Sequence, residues 1–176
     1  VVATDADGDA LNVPISVVVI DSVPAATAAA QTVTVSEVGL PLVDAHTGFL
    51  NVSWGADKGA AKHLNFAKDG NGDVVGPVLY SNGVLLAYRV EPESAGSDNE
   101  RLIAYRVDDP SKSAVFSITL YEPGNPYYTV ALFGPLDHAP GSDPLTLGFT
   151  VVATDADGDA LKVPISVVVM GWVRRP

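Results

Sequence analysis

Asp155, Asp157 and Asp159 stand at alternate positions in the stretch Asp-Ala-Asp-Gly-Asp, and Asp5, Asp7 and Asp9 repeat the pattern near the other end of the chain. In a turn, carboxylates at i, i+2 and i+4 can converge on one point, and Gly158, like Gly8, permits the tight bend this needs. Three carboxylates a few ångströms apart repel one another unless a cation lies among them. Calcium takes about 6–8 oxygen ligands and tolerates irregular geometry, so it suits such a loop better than magnesium or zinc. The loop is not an EF-hand, because Ser166 stands where that motif places its bidentate Glu. Further ligands must come from elsewhere, and the acids Asp21 and Glu37 are the candidates. The plain alternative is a solvated acidic turn without metal.

Other constellations are weaker. Asp69, Asn71 and Asp73 repeat the spacing in a glycine-rich stretch that reads as a polar turn between strands. His46, His63 and His138 lack metal-site spacing, and the absence of cysteine excludes thiolate sites and disulfides. No Gly-x-Ser-x-Gly, P-loop or dinucleotide-binding fingerprint occurs, and nothing singles out a catalytic carboxylate pair, so an enzyme is not expected. The net charge of −11, from 21 acids against 10 bases, opposes nucleic acid and anionic membranes and favours divalent cations. No apolar run approaches the ~20 residues of a membrane span, so membrane insertion is not expected.

The elements that must position the acids are strands. Residues 151–169 repeat residues 1–19 with one difference, Lys162 for Asn12, at an offset of 150 residues. That spacing implies a tandem array of domain-sized units. Each copy reads as a hairpin around its acidic loop. In the second strand Leu11, Val13, Ile15, Val17 and Val19 alternate with Asn12, Pro14, Ser16 and Val18, so one face is buried. Pro14 lacks a ladder donor, which points to a sheet edge or a bulge. Residues 1–20 are thus a terminal hairpin copied from a preceding repeat, 21–170 a β-sandwich repeat domain, and 171–176 a tail foreign to the repeat. Between the copies lie strand-like runs at Gln31–Glu37, Phe49–Trp54, Leu64–Phe66, Val78–Val90 with an Asn82-Gly83 turn, Ile103–Asp108, Ala114–Tyr121 and Tyr127–Phe133. Arg89 and Arg106, in echoing segments, are expected on one outward face. Roughly ten strands with regular turn signals give an all-β fold, an Ig-like β-sandwich. A split variant would build each sandwich from strands at both ends of the repeat.

Three pieces carry a resemblance: Gly48-Phe-Leu-Asn-Val-Ser-Trp-Gly-Ala-Asp57, Gly134-Pro-Leu-Asp-His138 and Phe149-Thr-Val-Val-Ala-Thr-Asp-Ala-Asp-Gly-Asp159. Across most of residues 31–170 the chain resembles the repeats of giant bacterial RTX adhesins, which leave the cell by type I secretion. The resemblance implies β-sandwich extender modules on the bacterial surface, with calcium at the aspartate loops and at junctions between neighbouring repeats. It gives Asp155, Asp157 and Asp159, and likewise Asp5, Asp7 and Asp9, as the loop ligands; Asp137 matches an acid whose role it does not supply.

The expected function is therefore a calcium-stabilised extender that projects distal ligand-binding domains in adhesion or biofilm formation. The alternative is a glycan- or peptide-binding sandwich using the 91–100 and 134–144 loops. A two-stranded apolar hairpin is not stable alone. Hairpin 1–19 is expected to dock on the body, to replace its own later copy, to take part in a split fold, or to make a strand-swapped contact with a neighbouring molecule.

Overall fold

A computed structural model describes residues 1–18, 21–40, 43–56, 59, 61–139 and 142–171. The expectations for Val19, Pro41, Asp57 and the tail from Trp172 to Pro176 lie outside these residues. Among the described residues there are fourteen strands: β1 (Val2–Thr4), β2 (Ala10–Asn12), β3 (Ala25–Ala26), β4 (Val33–Ser36), β5 (Asp44–Phe49), β6 (Val52–Ser53), β7 (His63–Phe66), β8 (Tyr80–Ser81), β9 (Val84–Pro92), β10 (Glu100–Arg106), β11 (Ala114–Tyr121), β12 (Tyr127–Leu132), β13 (Leu145–Thr154) and β14 (Ala160–Met170). One sheet has the order β5-β12-β11-β10-β9-β8 and the other the order β4-β14-β13-β7. The pairings are antiparallel except β4 with β14, which is parallel. Two short ribbons, β1-β2 and β3-β6, complete the set. The fold is an all-β, Ig-like sandwich.

Period-two alternation builds the core. Val33 and Val35 face inward with Leu147, Phe149, Val151, Ala153, Val163, Ile165, Val167 and Val169 from one sheet. Leu102, Ala104, Phe116, Ile118, Leu120, Tyr128, Val130 and Leu132 meet them from the other. Tyr88 and Phe116 of the six-stranded sheet contact Phe149 of the four-stranded sheet edge to face, with ring centroids 5.7 and 6.2 Å away. The exposed edge of β7 is closed by acids of the opposite sheet. Leu64 N–H donates to Glu122 at 3.0 Å and Phe66 N–H to Glu100 at 2.6 Å, which removes a free strand edge. Burial raises the pKa of Glu122, against the pull of the Leu64 N–H.

Four expectations are corrected. The Phe49–Trp54 run is not one strand, because Asn51 adopts φ 56° and breaks it between β5 and β6. The Asn51 amide donates to the Ala29 carbonyl at 2.7 Å, and its own carbonyl accepts from Thr27, so the kink anchors the β3 segment. Arg89 and Arg106 do not share a face: β9 and β10 pair Arg89 with Ile103 and Arg106 with Leu86, and these pairs lie on opposite sides of the pleat. Arg89 instead reaches Glu91 at 3.3 Å and Arg106 reaches Asp108 at 2.7 Å. The split variant is not the observed pairing, since β1 and β2 pair with each other and with no strand of the sandwich. Finally, the second strand of the first copy ends at Asn12 rather than running to Val19. Val13 still exchanges backbone hydrogen bonds with Val1, at 2.8 and 3.0 Å, but Val13–Val18 are exposed and form no strand, because no described strand of the fold lies beside them.

One turn and one proline match what forms. Asn82 and Gly83, at φ 53° and 76°, make the two-residue turn between β8 and β9. Pro164 of β14, the counterpart of Pro14, lies opposite Thr150. The Thr150 carbonyl points away, toward Ala67, so the Pro164 nitrogen faces the side where β4, which starts opposite Val167, has not yet begun. Among the described residues no helix is long and apolar enough to cross a membrane.

Candidate metal centre

Both aspartate loops close by the same local chemistry. Asp155 N–H donates to the Asp159 carbonyl at 3.0 Å, and Asp159 N–H returns to Asp155 Oδ1 at 2.8 Å. Asp5 and Asp9 make the same pair of bonds at 3.1 and 3.0 Å. Gly158 at φ 109° and Gly8 at φ 100° occupy the position where a side chain would strain the turn. The first aspartate of each motif is thus a brace that folds the loop on itself. Asp69 braces its loop likewise, accepting from Asn71 and Asp73 N–H groups, and these bonds lower its pKa.

The carboxylates beyond the brace are arranged differently in the two copies. In the later copy, oxygens of Asp157, Asp159 and Asp21 lie within 4.8 Å of one another. The sequence-predicted trio is therefore redistributed: Asp155 leaves the cluster and Asp21 joins it. Asp155 is 2% exposed, and while Oδ1 braces the loop, Oδ2 is buried with no hydrogen-bond partner. In the first copy, Asp5, Asp7 and Asp9 are all exposed and their oxygens lie within 4.8 Å of one another. A hydrogen bond with the Asp7 carboxyl, ahead of those from backbone N–H groups, holds Asp5 below the usual carboxylate range.

Asp21 reaches the later loop because its segment is pinned on the same side. Ala25 and Ala26 pair with Ser53 and Val52. Ala56 N–H donates to Ser22 Oγ at 2.7 Å. Gly55 takes φ 67°, and a Cβ there would stand 2.6 Å from Ser22 Oγ, so this close approach requires glycine. The loop is also flanked by Gly59, whose Cβ would meet Ala156 at 2.9 Å.

Glu37 does not belong to this cluster. Its strand, β4, runs parallel to β14 and ends beside Met170, whose carbonyl accepts the Glu37 N–H at 2.9 Å. The aspartate loop precedes β14, so the length of that strand, about 30 Å, separates the two. Glu37 instead accepts from Leu136 N–H at 2.7 Å and lies 3.5 Å from His138 Nε2. His138 Nδ1 is 3.5 Å from Asp143, and neither ring nitrogen has a hydrogen-bond partner. Sequence spacing could not bring these three residues together. Asp137, whose role sequence left open, accepts from Asn82 and Gly83 N–H groups at 2.8 and 2.7 Å and clamps the β8–β9 turn.

A cleft of about 250 Å³ under the 91–100 loop is lined by Asn65, Lys68, Glu91, Asp98 and Glu100 among others. Several of its polar groups serve the protein itself. Glu91 pairs with Arg101 at 2.7 Å, and Glu100 holds Lys68 at 3.4 Å as well as the Phe66 N–H. Of the acid clusters, the one at Asp21, Asp157 and Asp159 can do more. It presents hard oxygen donors at a domain end, on the loop whose Asp155 keeps a buried carboxylate oxygen without a hydrogen-bond partner, which fits a divalent cation with oxygen ligands. Comparison with protein-family models, with curated proteins and with solved structures finds no match to this chain.

Proposed function

We propose that the chain is a calcium-stabilised structural module, an extender that spaces the parts of a large bacterial surface adhesin of the RTX kind, secreted by a type I system. The observation that carries this reading is the meeting of Asp21 with Asp157 and Asp159. Asp21 leads into the domain from the preceding hairpin, and the other two sit on the loop joining its longest strands. A cation held by Asp21, Asp157 and Asp159, with Asp155 bracing the loop beneath, ties the incoming chain to the body. It thereby removes the hinge at which a string of modules would bend. The cation supplies charge neutralisation and crosslinking, and no catalytic step is invoked. The near-identical copies at a domain-sized offset favour a tandem array, in which stiffness at each junction decides reach.

The alternative is a glycan- or peptide-binding module using the cleft under the 91–100 loop. Glu91 and Glu100 are already committed to Arg101, Lys68 and the β7 edge, so the extender reading is preferred.

Calcium titration followed by thermal melting tests the proposal. Calcium at 100 times its Kd should stabilise the folded state by about 2.7 kcal/mol relative to EDTA. Replacing both Asp157 and Asp159 with Asn should abolish that increment while the EDTA melting temperature stays level or rises, as repulsion is relieved. Equal melting temperature and equal hydrodynamic radius in calcium and EDTA would refute the reading.

A further inference from the structure

The first copy presents a strand's worth of core side chains with no core to enter. Leu11, Val13, Ile15 and Val17 are 66, 42, 65 and 79% exposed. The counterparts of the last three, Val163, Ile165 and Val167, are 3, 3 and 0% exposed, and that of Leu11, Leu161, is partly buried, in β14 between β13 and β4. Ala10–Val18 differs from Ala160–Val168 only at Asn12 against Lys162, and Lys162 faces outward and is exposed. The structure therefore shows what covers this segment: a body like the one built by residues 25–154.

That body cannot be its own. In the place of β14, Val18 would lie at the position of Val168, eight residues and about 26 Å from Ala160 at the loop end. Asp21 lies beside Asp157 and Asp159, at that loop. Three residues join Val18 to Asp21, and three residues span about 10 Å at most. Substitution of β14 by its own earlier copy would pull Asp21 off its loop and unpin Ser22 from Ala56.

We propose that residues 10–18 are a donor strand for the β14 position in a second copy of this chain. Ala10–Val18 would run antiparallel to the partner's β13 and parallel to its β4. Val13 would sit opposite the partner subunit's Val151, and Val17 opposite the partner subunit's Val33. The donor gives up the three-residue pairing with its own β1, and the partner's own β14 is released and exposes the face that the donor hides, so the exchange gains little and its extent follows protein concentration during folding. The same three-residue limit sets the geometry. The donor's body must stand end to end with the acceptor's, its aspartate loop against the pole where β14 leaves. The contact is head to tail and open-ended, so it extends into linear strings. No cation is needed for the strand exchange, and its test is run in EDTA, which separates it from the calcium reading.

The chain has no cysteine, so introduced thiols report unambiguously. Val152 and Lys162 are cross-strand neighbours on the outward face, at a pair whose backbone groups point away from each other, and donor exchange puts Asn12 in the place of Lys162. An Asn12→Cys chain and an isotope-labelled Val152→Cys chain are unfolded together, refolded at high concentration and oxidised. The expected product is a labelled–unlabelled dimer joined 12 to 152, in excess over the 12–12 and 152–152 dimers of random encounter. Adding Ile15→Lys to the first chain, at an exposed position that leaves the sandwich intact, should reduce it at least tenfold. Mixed dimers no more abundant than random, or insensitive to Ile15→Lys, would overturn the proposal.

Discussion

Residues 1–18 and 151–168 are the same but for Asn12 against Lys162 and lie in two environments, and the difference separates what is local from what is borrowed. The register is local: Val2 pairs with Asn12 and Thr4 with Ala10, as Val152 pairs with Lys162 and Thr154 with Ala160. The loop is local too, with its aspartate brace and its glycine at positive φ in both copies. The strand beyond Asn12 is borrowed. In the later copy it continues to Met170 because Leu145–Thr150 lie along one side, β4 covers part of the other, and the opposite sheet covers its apolar face. The cation cluster is also borrowed. Alone, the loop turns its own three aspartates together; within the sandwich one is buried as a brace and the linker supplies the replacement, Asp21.

The largest test of this contrast is a matched pair of truncations. Ile165→Ala removes buried methyl groups from the centre of β14 and should cost about 2–5 kcal/mol in urea denaturation. Ile15→Ala makes the identical change in the exposed copy and, in dilute protein where strands are not exchanged, should stay within about 0.5 kcal/mol. Similar losses at both positions would mean that the first copy is packed in solution and that its exposure here is not its state.

The same contrast shows why part of the molecule is legible from its residues. Alternation marked the inward faces of β4, β13 and β14, and the Asn82-Gly83 pair marked its hairpin, because both signals lie within a few residues. The linker acid Asp21 was legible as a candidate through its nearness to a loop at a domain end. Glu37 was misplaced because its position depends on the parallel pairing of β4 with β14, a contact between residues far apart in the chain that leaves no local pattern. Arg89 and Arg106 echo each other in sequence, yet pairing is set by the turn between their strands and sends them to opposite faces. Val13–Val18 carry a full strand pattern and make no strand, which shows that alternation encodes a face and not the partner it needs. The Asn51 kink sits inside an apparently continuous alternation because Leu50 and Val52 both remain buried on either side of it.

A second test separates the linker from the loop. Gly55→Ala places a methyl group where Ser22 Oγ approaches and forces a side chain into left-handed backbone, at a cost of about 1–2 kcal/mol. Because the clash displaces Ser22, and with it Asp21, the variant should also lose most of the calcium-dependent rise in melting temperature. Asp7→Asn in the exposed loop should leave that rise intact. A Gly55→Ala protein with its full calcium increment would show that Asp157 and Asp159 bind without the linker, and the junction argument would fall with it.

The smallest effect belongs to the single position at which the copies differ. Lys162 lies on the outward face three residues beyond Asp159, about 10 Å along the strand, which is close to the screening length at 0.1 M salt. Its charge should weakly favour the Asp21, Asp157 and Asp159 cluster, more without a cation, when three negative charges face it, than with a divalent one bound, when one is left over. Lys162→Asn should therefore lower stability in EDTA and lower it less in calcium, each by no more than about 0.5 kcal/mol, and salt should shrink both shifts. Asn12→Lys, the reverse change in the exposed hairpin, should move neither value, because that hairpin pairs with no strand of the sandwich. Melting curves of both variants at low and high salt decide the matter. A Lys162→Asn shift of the same size in calcium and in EDTA, indifferent to salt, would place its effect in strand propensity rather than in the field of the aspartate cluster.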